Sequence, residues 1–430
     1  MNAFIEKFAD LVGQTVTVEG WAYNVRSSGS IAFLQIRDGS GFVQAVIAKN
    51  SVDESSWNAA VETTIESSVR VTGTVSKHPK QEGVYELQAA TVELIHKSEE
   101  FPIGKKEHGP DFLLDMRHLW LRAPAQWAIQ KVRNEIINAT YEWMRENGFC
   151  KIDSPIFTPS ACEGTTELFE IDYFGERKAY LSQSGQLYLE AAIGSVGRCF
   201  DFGPVFRAEK SKTRRHLIEF WMMDAEAAFV DHEHNLKIQE ELVCFIVDRV
   251  LKNCQAELKI LERDQEPLKK VQAPFIRMTH AEAIKWLREH GSDIGDMDDL
   301  GADDETLLTK AHNKPIFVEK YPAAVKAFYM KRDPADPTRV LNADLLAPEG
   351  YGEVIGGSQR EDNFDMLLER IREHKLPEKD FQWYLDLRKY GSVPHSGFGY
   401  GLERLTTWIC GIHHVRETIP FPRLLNRLEP

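Results

Sequence analysis

Residues 202–229 read FGPVFRAEKSKTRRHLIEFWMMDAEAAF, and this stretch decides the fold. Phe202, Val205 and Phe206 suit a buried strand, and Leu217, Phe220, Met222 and Met223 make a second strand-like run. Between them lies a short cationic loop, Lys210-Ser-Lys-Thr-Arg-Arg-His216. Two strands joined by a basic loop hold charges at the strand ends on a rigid support. That arrangement suits a polyphosphate. Arg207 and Arg215 each offer a planar fork to phosphoryl oxygens, and Phe220 offers a face to a base. A solvated hairpin with ion pairs has the same composition, so this stretch alone leaves both readings open.

Two distant stretches bear on the choice. The first is Phe149-Cys-Lys-Ile-Asp-Ser-Pro-Ile-Phe-Thr-Pro-Ser160, a helix end followed by an extended, proline-marked strand. The second is Gly397-Phe-Gly-Tyr-Gly-Leu-Glu-Arg-Leu405, where small residues let backbones approach and an arginine opens an apolar helix. Together and in this order, the three resemble the signature motifs of class II aminoacyl-tRNA synthetases. The likeness is greatest to the asparaginyl branch, through ACEGTTELF (161–169), SGQLY (184–188), GEVIGGSQR (352–360) and VPHSGF (393–398). It runs over nearly the whole chain.

The length of 430 residues allows two or three domains with a sizeable core. Hydrophobic and charged fractions of 43% and 27% are ordinary for a soluble globular protein. Membrane spans and a secretory leader are not expected: no apolar run approaches about 20 residues, and the first residues lack a cationic-then-apolar pattern. Six cysteines without a CxxC pair argue against structural zinc and a disulfide framework, and fit a reducing cytoplasm. A net charge of −14 is unusual for an RNA binder. It leaves room for a local basic groove but predicts modest non-specific affinity and steep salt sensitivity.

Residues 16–95 alternate in five runs, with a polar helical insert at 54–66 before the fourth. This predicts a five-stranded OB-type β-barrel within residues 1–97. Phe33, with Arg26 nearby and Gln44 on the next strand, is either core or a base-stacking platform. Resemblance favours the platform: in the related synthetases this barrel binds the tRNA anticodon, with the matching Phe stacked on a base and the matching Gln bonded to it. Residues 98–112 read as a hinge, and 113–430 as a catalytic domain. There, adjacent strands lack βαβ alternation, so an α+β fold with a mostly antiparallel sheet flanked by helices is expected. Ala125–Gly148 has helical apolar spacing and is either a core helix or, as the resemblance implies, part of a homodimer contact. Helices are also expected at 234–253 and 279–290. The acidic run Asp293–Glu305 reads as a solvated face.

The resemblance implies ATP-dependent ligation of asparagine to tRNA(Asn), with ATP as substrate and Mg2+ as cofactor. It puts Arg207, Glu209, Arg215, His216, Leu217, Phe220, Glu353, Gly401 and Arg404 at the nucleotide. Arg207 meets the α-phosphate and the substrate carboxylate, Arg404 clamps the γ-phosphate, and Glu353 holds Mg2+. It puts Glu163, Ser184, Gln186, Tyr188, Arg207, Asp224 and Arg360 at the amino acid. Activation requires positioning and neutralisation of spread negative charge, and these residue types supply it. No GxxxxGK[ST] loop offers another phosphate site.

In the aspartyl branch a lysine follows QLY; here Leu189 and Glu190 stand there. An aspartate side chain therefore loses a counter-charge, which favours asparagine. Asp224 is the candidate acceptor for the asparagine amide. Aspartate charging, including relaxed charging of both tRNAs, stays open, as does a non-catalytic RNA-binding role. A tRNA-independent asparagine synthetase is disfavoured by the amino-terminal barrel.

Overall fold

The computed structural model describes residues 1–104, 106–159, 168–211 and 213–429. The chain divides into two units, Met1–Leu113 and Leu114–Pro430.

In the first unit, β1 (Thr15–Ser28), β2 (Ile31–Arg37), β3 (Phe42–Ala48), β4 (Ser68–Lys77) and β5 (Tyr85–His96) close a barrel in the order β1-β2-β3-β5-β4. The alternation has the expected cause. Val16, Val18, Ala32, Leu34, Ile36, Ala45, Ile47, Val69 and Val71 point inward and are fully buried, so their neighbours in sequence face outward. A helix, α1 (Glu54–Glu62), sits before β4 and is capped by Asp53, whose carboxylate accepts from Ser56 N at 2.7 Å.

The second unit is built on an eight-stranded sheet. The strands of this sheet and the helices that frame the site are, in chain order, α2 (Pro124–Glu146), β6 (Cys150–Lys151), α3 (Gln186–Val196), β7 (Arg198–Phe206), β8 (Glu219–Ala228), α4 (His232–Asn253), β9 (Ile276–Thr279), α5 (Ala302–Lys310), β10 (Ile316–Glu319), β11 (Asn342–Ala347), β12 (Gly352–Gln359), α6 (Gln382–Lys389), β13 (His395–Gly401) and α7 (Leu402–Cys410). The sheet order is β9-β10-β11-β12-β13-β8-β7-β6. Every pair is antiparallel except β9–β10 and β7–β6. The β7–β8 hairpin pairs from Arg198↔Ala227 to Phe206↔Glu219, leaving residues 207–218 as the basic loop.

Helix α2 buries Ile129, Val132, Ile136 and Trp143, as its helical spacing requires, and starts on Pro124, where the missing N–H costs nothing. With α4 and α7 it covers the sheet through Phe200, Met223, Tyr400 and Trp408. A further helix, His280–Glu289, follows β9. Five cysteines (Cys150, Cys199, Cys244, Cys254 and Cys410) are unpaired, and Cys162 lies outside the described residues.

Candidate active site

The basic loop and the start of α7 face each other across an open cavity of about 600 Å³. The hairpin contributes Arg207, Arg215, His216, Leu217 and Phe220, β12 contributes Glu353, and the β13–α7 junction contributes Gly401 and Arg404. Glu209 is the one expected nucleotide residue that does not line it; its carboxylate lies 3.5 Å from His216. The Arg207 guanidinium sits over the Phe220 ring, 5.4 Å from its centroid. Arg404 donates to Glu353 Oε2 at 3.0 Å and to the Glu353 carbonyl at 3.3 Å. Burial acts to raise the Glu353 carboxyl, but the charges of Arg404, Lys326 and Arg207 outweigh it and hold it below the usual range. The neighbouring residue, Glu403, is buried; it accepts from Arg133 Nη2 of α2 at 2.7 Å and from Trp221 N of β8 at 3.0 Å.

Most of the acidic run is exposed, as expected, but its last member is not. Glu305, on α5, turns into the cavity wall and accepts from Arg215 Nη1 at 2.6 Å and from Glu353 N at 3.0 Å. Burial, with the Glu353 charge, pushes its carboxyl up to about 7.

A second cavity, of about 1180 Å³, adjoins the first. Ser184, Gln186, Asp224 and Arg360 line it, and Arg207, Met222, Glu353, Gly356 and Gly399 belong to both. Asp224 Oδ2 accepts from Ser184 Oγ at 2.7 Å and from Gly185 N at 3.0 Å. Its other oxygen lies 2.2 Å from where a Cβ on Gly399 would be, so only glycine fits there. Tyr188 does not line the larger cavity: its hydroxyl meets Thr158 Oγ1 at 3.0 Å, its ring stacks on Trp383, and it lines a cavity of about 270 Å³ that meets the larger one at Ser184. The reason is helical geometry. Tyr188 follows Gln186 by two residues, about 200° round α3, and so leaves on the opposite side. Glu163 lies outside the described residues.

Three groups were missed in the sequence. Glu226 is buried and bonds Arg360 through Nε at 3.0 Å and through Nη2. Its Oε2 has no hydrogen-bond partner among the described residues. The signal was present, since Glu226 follows Asp224 by two and so shares its strand face. Burial pushes Glu226 up to about 7, despite Arg360. Asp344 lines the larger cavity and accepts from Lys326 Nζ at 2.8 Å. Glu190 has both oxygens bonded, to Gln186, Tyr384, Arg388 and His395.

On the barrel, Arg26 pairs with Phe33 across β1–β2, and Phe33 shares the outer face with Gln44, half-buried rather than in the core. Gln44 Nε2 donates to Glu86 at 2.9 Å. Away from both sites, His232, Glu233 and Glu319 gather within 4.8 Å, but Arg277 bonds both carboxylates and already balances their charge. No helix of the described residues is long and apolar enough to cross a membrane.

Known proteins share this architecture. Residues 109–425 match the model of the class II tRNA synthetases (D, K and N), and residues 16–95 match the OB-fold nucleic acid binding domain. The chain is 54% identical over 429 residues to an asparagine--tRNA ligase from Pelotomaculum thermopropionicum, covering all of both chains. It is similar to the crystal structure of asparaginyl-tRNA synthetase from Pyrococcus horikoshii complexed with asparaginyl-adenylate, with a TM-score of 0.95, 46% identity and full coverage of both chains. The Entamoeba histolytica asparaginyl-tRNA synthetase in complex with asparaginyl-adenylate matches with a TM-score of 0.89 and 34% identity, over 98% of this chain and 97% of that one. With its barrel, its joined cavities and these full-length likenesses, the chain belongs to the class II tRNA synthetases, in the asparagine--tRNA ligase family.

Proposed function

We propose that the smaller cavity binds ATP, that the adjoining one binds asparagine, and that the chain ligates asparagine to tRNA(Asn) in two steps. First, an α-carboxylate oxygen of asparagine attacks the α-phosphorus of ATP. The bond to the bridging oxygen breaks, pyrophosphate leaves and asparaginyl-adenylate forms. Then a hydroxyl of the tRNA 3′-terminal ribose attacks the activated carbonyl, and AMP leaves. The Pyrococcus and Entamoeba proteins that carry asparaginyl-adenylate support this intermediate.

One observation carries the assignment: Arg207 and Glu353 belong to both cavities. A phosphate in one cavity and a carboxylate in the other converge on a single guanidinium, which offsets their repulsion as the new bond forms. Phe220 and Arg404 hold the adenine from two sides over Leu217 and Gly401, and Glu209 closes on its edge. Arg215 and His216 take the outer phosphates. Ser184, Gln186, Asp224 and Glu163 hold the α-ammonium end. Arg360 donates to the side-chain carbonyl, and Glu226, rather than Asp224, accepts from the amide NH2, since its Oε2 is a buried acceptor in need of a donor.

Magnesium fits beside them. Glu353 Oε1 and Asp344 Oδ1 lie 3.2 and 3.9 Å from where a Cβ on Gly356 would be, so two carboxylate oxygens converge over a residue without a side chain. Mg2+ held by Glu353 and Asp344 would neutralise charge on the triphosphate. A homodimer is supported by the exposed Tyr141, Ile156, Phe157 and Trp221 beside the short edge strand β6. The unpaired cysteines suit a cytoplasmic setting. The barrel face of Phe33, Gln44 and Arg26 takes the anticodon.

The test is aminoacylation of unfractionated tRNA with asparagine and aspartate in parallel, on wild type and Arg404→Ala. Wild type should charge asparagine, and R404A should lose about 10²–10³-fold in adenylate formation with tRNA affinity kept. Charging of aspartate alone, or full activity of R404A, would refute the assignment.

A further inference from the structure

We propose that Glu190 is a positioning residue: it fixes the Gln186 amide so that its oxygen, and not its NH2 group, meets the substrate α-ammonium. This rests on the assignment of the larger cavity to asparagine. The residues sit four apart on α3, hence on one helix face. Gln186 lines the cavity, while Glu190 is fully buried behind it.

Both Glu190 oxygens are saturated by donors. Oε1 accepts from Gln186 Nε2 at 3.1 Å and from Tyr384 Oη at 2.8 Å. Oε2 shares that one Tyr384 proton, with Oη at 2.7 Å, and accepts from Arg388 Nη2 at 2.7 Å and His395 Nε2 at 2.9 Å. An ionised carboxylate has no proton to donate, so only the NH2 end of Gln186 can face it. Burial alone would raise this carboxyl, yet Arg388, His395 and Arg360 keep it far below its ordinary value, and so ionised. With Nε2 committed, Oε1 is the end of Gln186 left for the cavity, where an ammonium needs an acceptor.

The argument predicts what a single-atom change does. In Glu190→Gln the side chain has one carbonyl oxygen, which Arg388 and His395 claim. Its NH2 then faces Gln186, which must answer with Oε1 and turn its own NH2 towards the ammonium. Two donors would oppose each other.

The experiment is asparagine-dependent pyrophosphate exchange on the full chain, comparing E190Q, the charge-conserving swap Q186E/E190Q, and R360A. E190Q should raise KM for asparagine at least about tenfold while KM for ATP and kcat move less than about threefold. In the swap, the carboxylate brought to position 186 accepts from the amide NH2 brought to position 190. Its second oxygen then faces the cavity, so KM should return to within about threefold of wild type. A role limited to balancing Arg388 predicts no such rescue and a common loss in both KM values. The proposal fails if E190Q leaves the asparagine KM unchanged or if the swap does not restore it. If E190Q does not fold, the swap alone decides on the same threefold criterion; failure of both to fold also counts against the proposal, since the swap conserves the net charge and the bond between positions 186 and 190. R360A separates the two levels. A large rise in asparagine KM there with none in E190Q refutes only the role of Glu190, whereas no rise in either removes asparagine from this cavity.

Discussion

Arg215 donates to Glu305 Oε2 at 2.6 Å across 90 residues of sequence, and its other amino group donates to Thr306 Oγ1 at 2.7 Å and to the Gly350 carbonyl at 2.9 Å. The guanidinium assigned to the outer phosphates thus already has a carboxylate partner. Under the proposed assignment, a triphosphate would compete with that carboxylate for Arg215.

Glu305→Gln keeps an acceptor but removes the competing charge. KM for ATP should fall about three- to tenfold, a change of roughly 1 kcal/mol, with KM for asparagine unmoved. The sign with pH follows from the raised value of about 7. Below it Glu305 is neutral and grips Arg215 less, so KM for Mg-ATP should be lower at about pH 6.5 than at about pH 8. E305Q should abolish that difference. A higher KM for ATP in the variant would mean that Glu305 serves the nucleotide rather than competing with it.

Glu226→Gln addresses the choice between asparagine and aspartate. Wild type balances Arg360 with Glu226, so an aspartate carboxylate meets an arginine already paired. Without that charge the guanidinium is open to a carboxylate, and leaving it unpaired costs several kcal/mol. The ratio of kcat/KM for asparagine over aspartate should drop at least about tenfold, or ~1.4 kcal/mol. An unchanged ratio in the exchange assay would acquit Glu226.

Phe33→Ala tests the barrel face. Stacking on one aromatic ring is worth about 1–3 kcal/mol, so tRNA affinity should weaken by about 5- to 150-fold. Exchange without tRNA should match wild type. Equal affinities in a filter-binding titration would return Phe33 to a packing role.

Asp201 gives a pH signature in stability. Burial and the Asp224 charge push it up to about 7, whereas an unfolded aspartate titrates near about 4. Between those values the folded chain holds a proton that the unfolded chain lacks, so stability is lost as pH rises through this window. Asp201→Asn cannot ionise. Its melting temperature should exceed that of wild type by more at about pH 8 than at about pH 5.5, by scanning calorimetry. A constant difference would place the Asp201 titration elsewhere.

Much of this was legible from local pattern. Alternation marked the barrel strands and the β7–β8 hairpin, and apolar spacing marked α2, because burial on one face leaves a period in the sequence. The motifs gathered Arg207, Phe220, Glu353 and Arg404 at one cavity. What escaped came from tertiary approach. Glu305 sits in a run whose charges otherwise read as solvated, and nothing local tells that α5 turns one of them towards Arg215. The buried pairs Glu226–Arg360 and Glu190–Arg388 join residues 134 and 198 positions apart, so no window of sequence contains both partners. Tyr188 is set apart for the opposite reason: the motif reads as a block, while the helix turns Gln186 and Tyr188 towards two neighbouring cavities.

Glu403 carries a mechanical implication. One carboxylate fastens the α2 arginine Arg133 and the β8 backbone at Trp221, and it is covalently adjacent to Arg404. The first turn of α7 is thereby anchored to a neighbouring helix and to the sheet at once, so the direction in which Arg404 leaves it is set by three elements rather than by α7 alone.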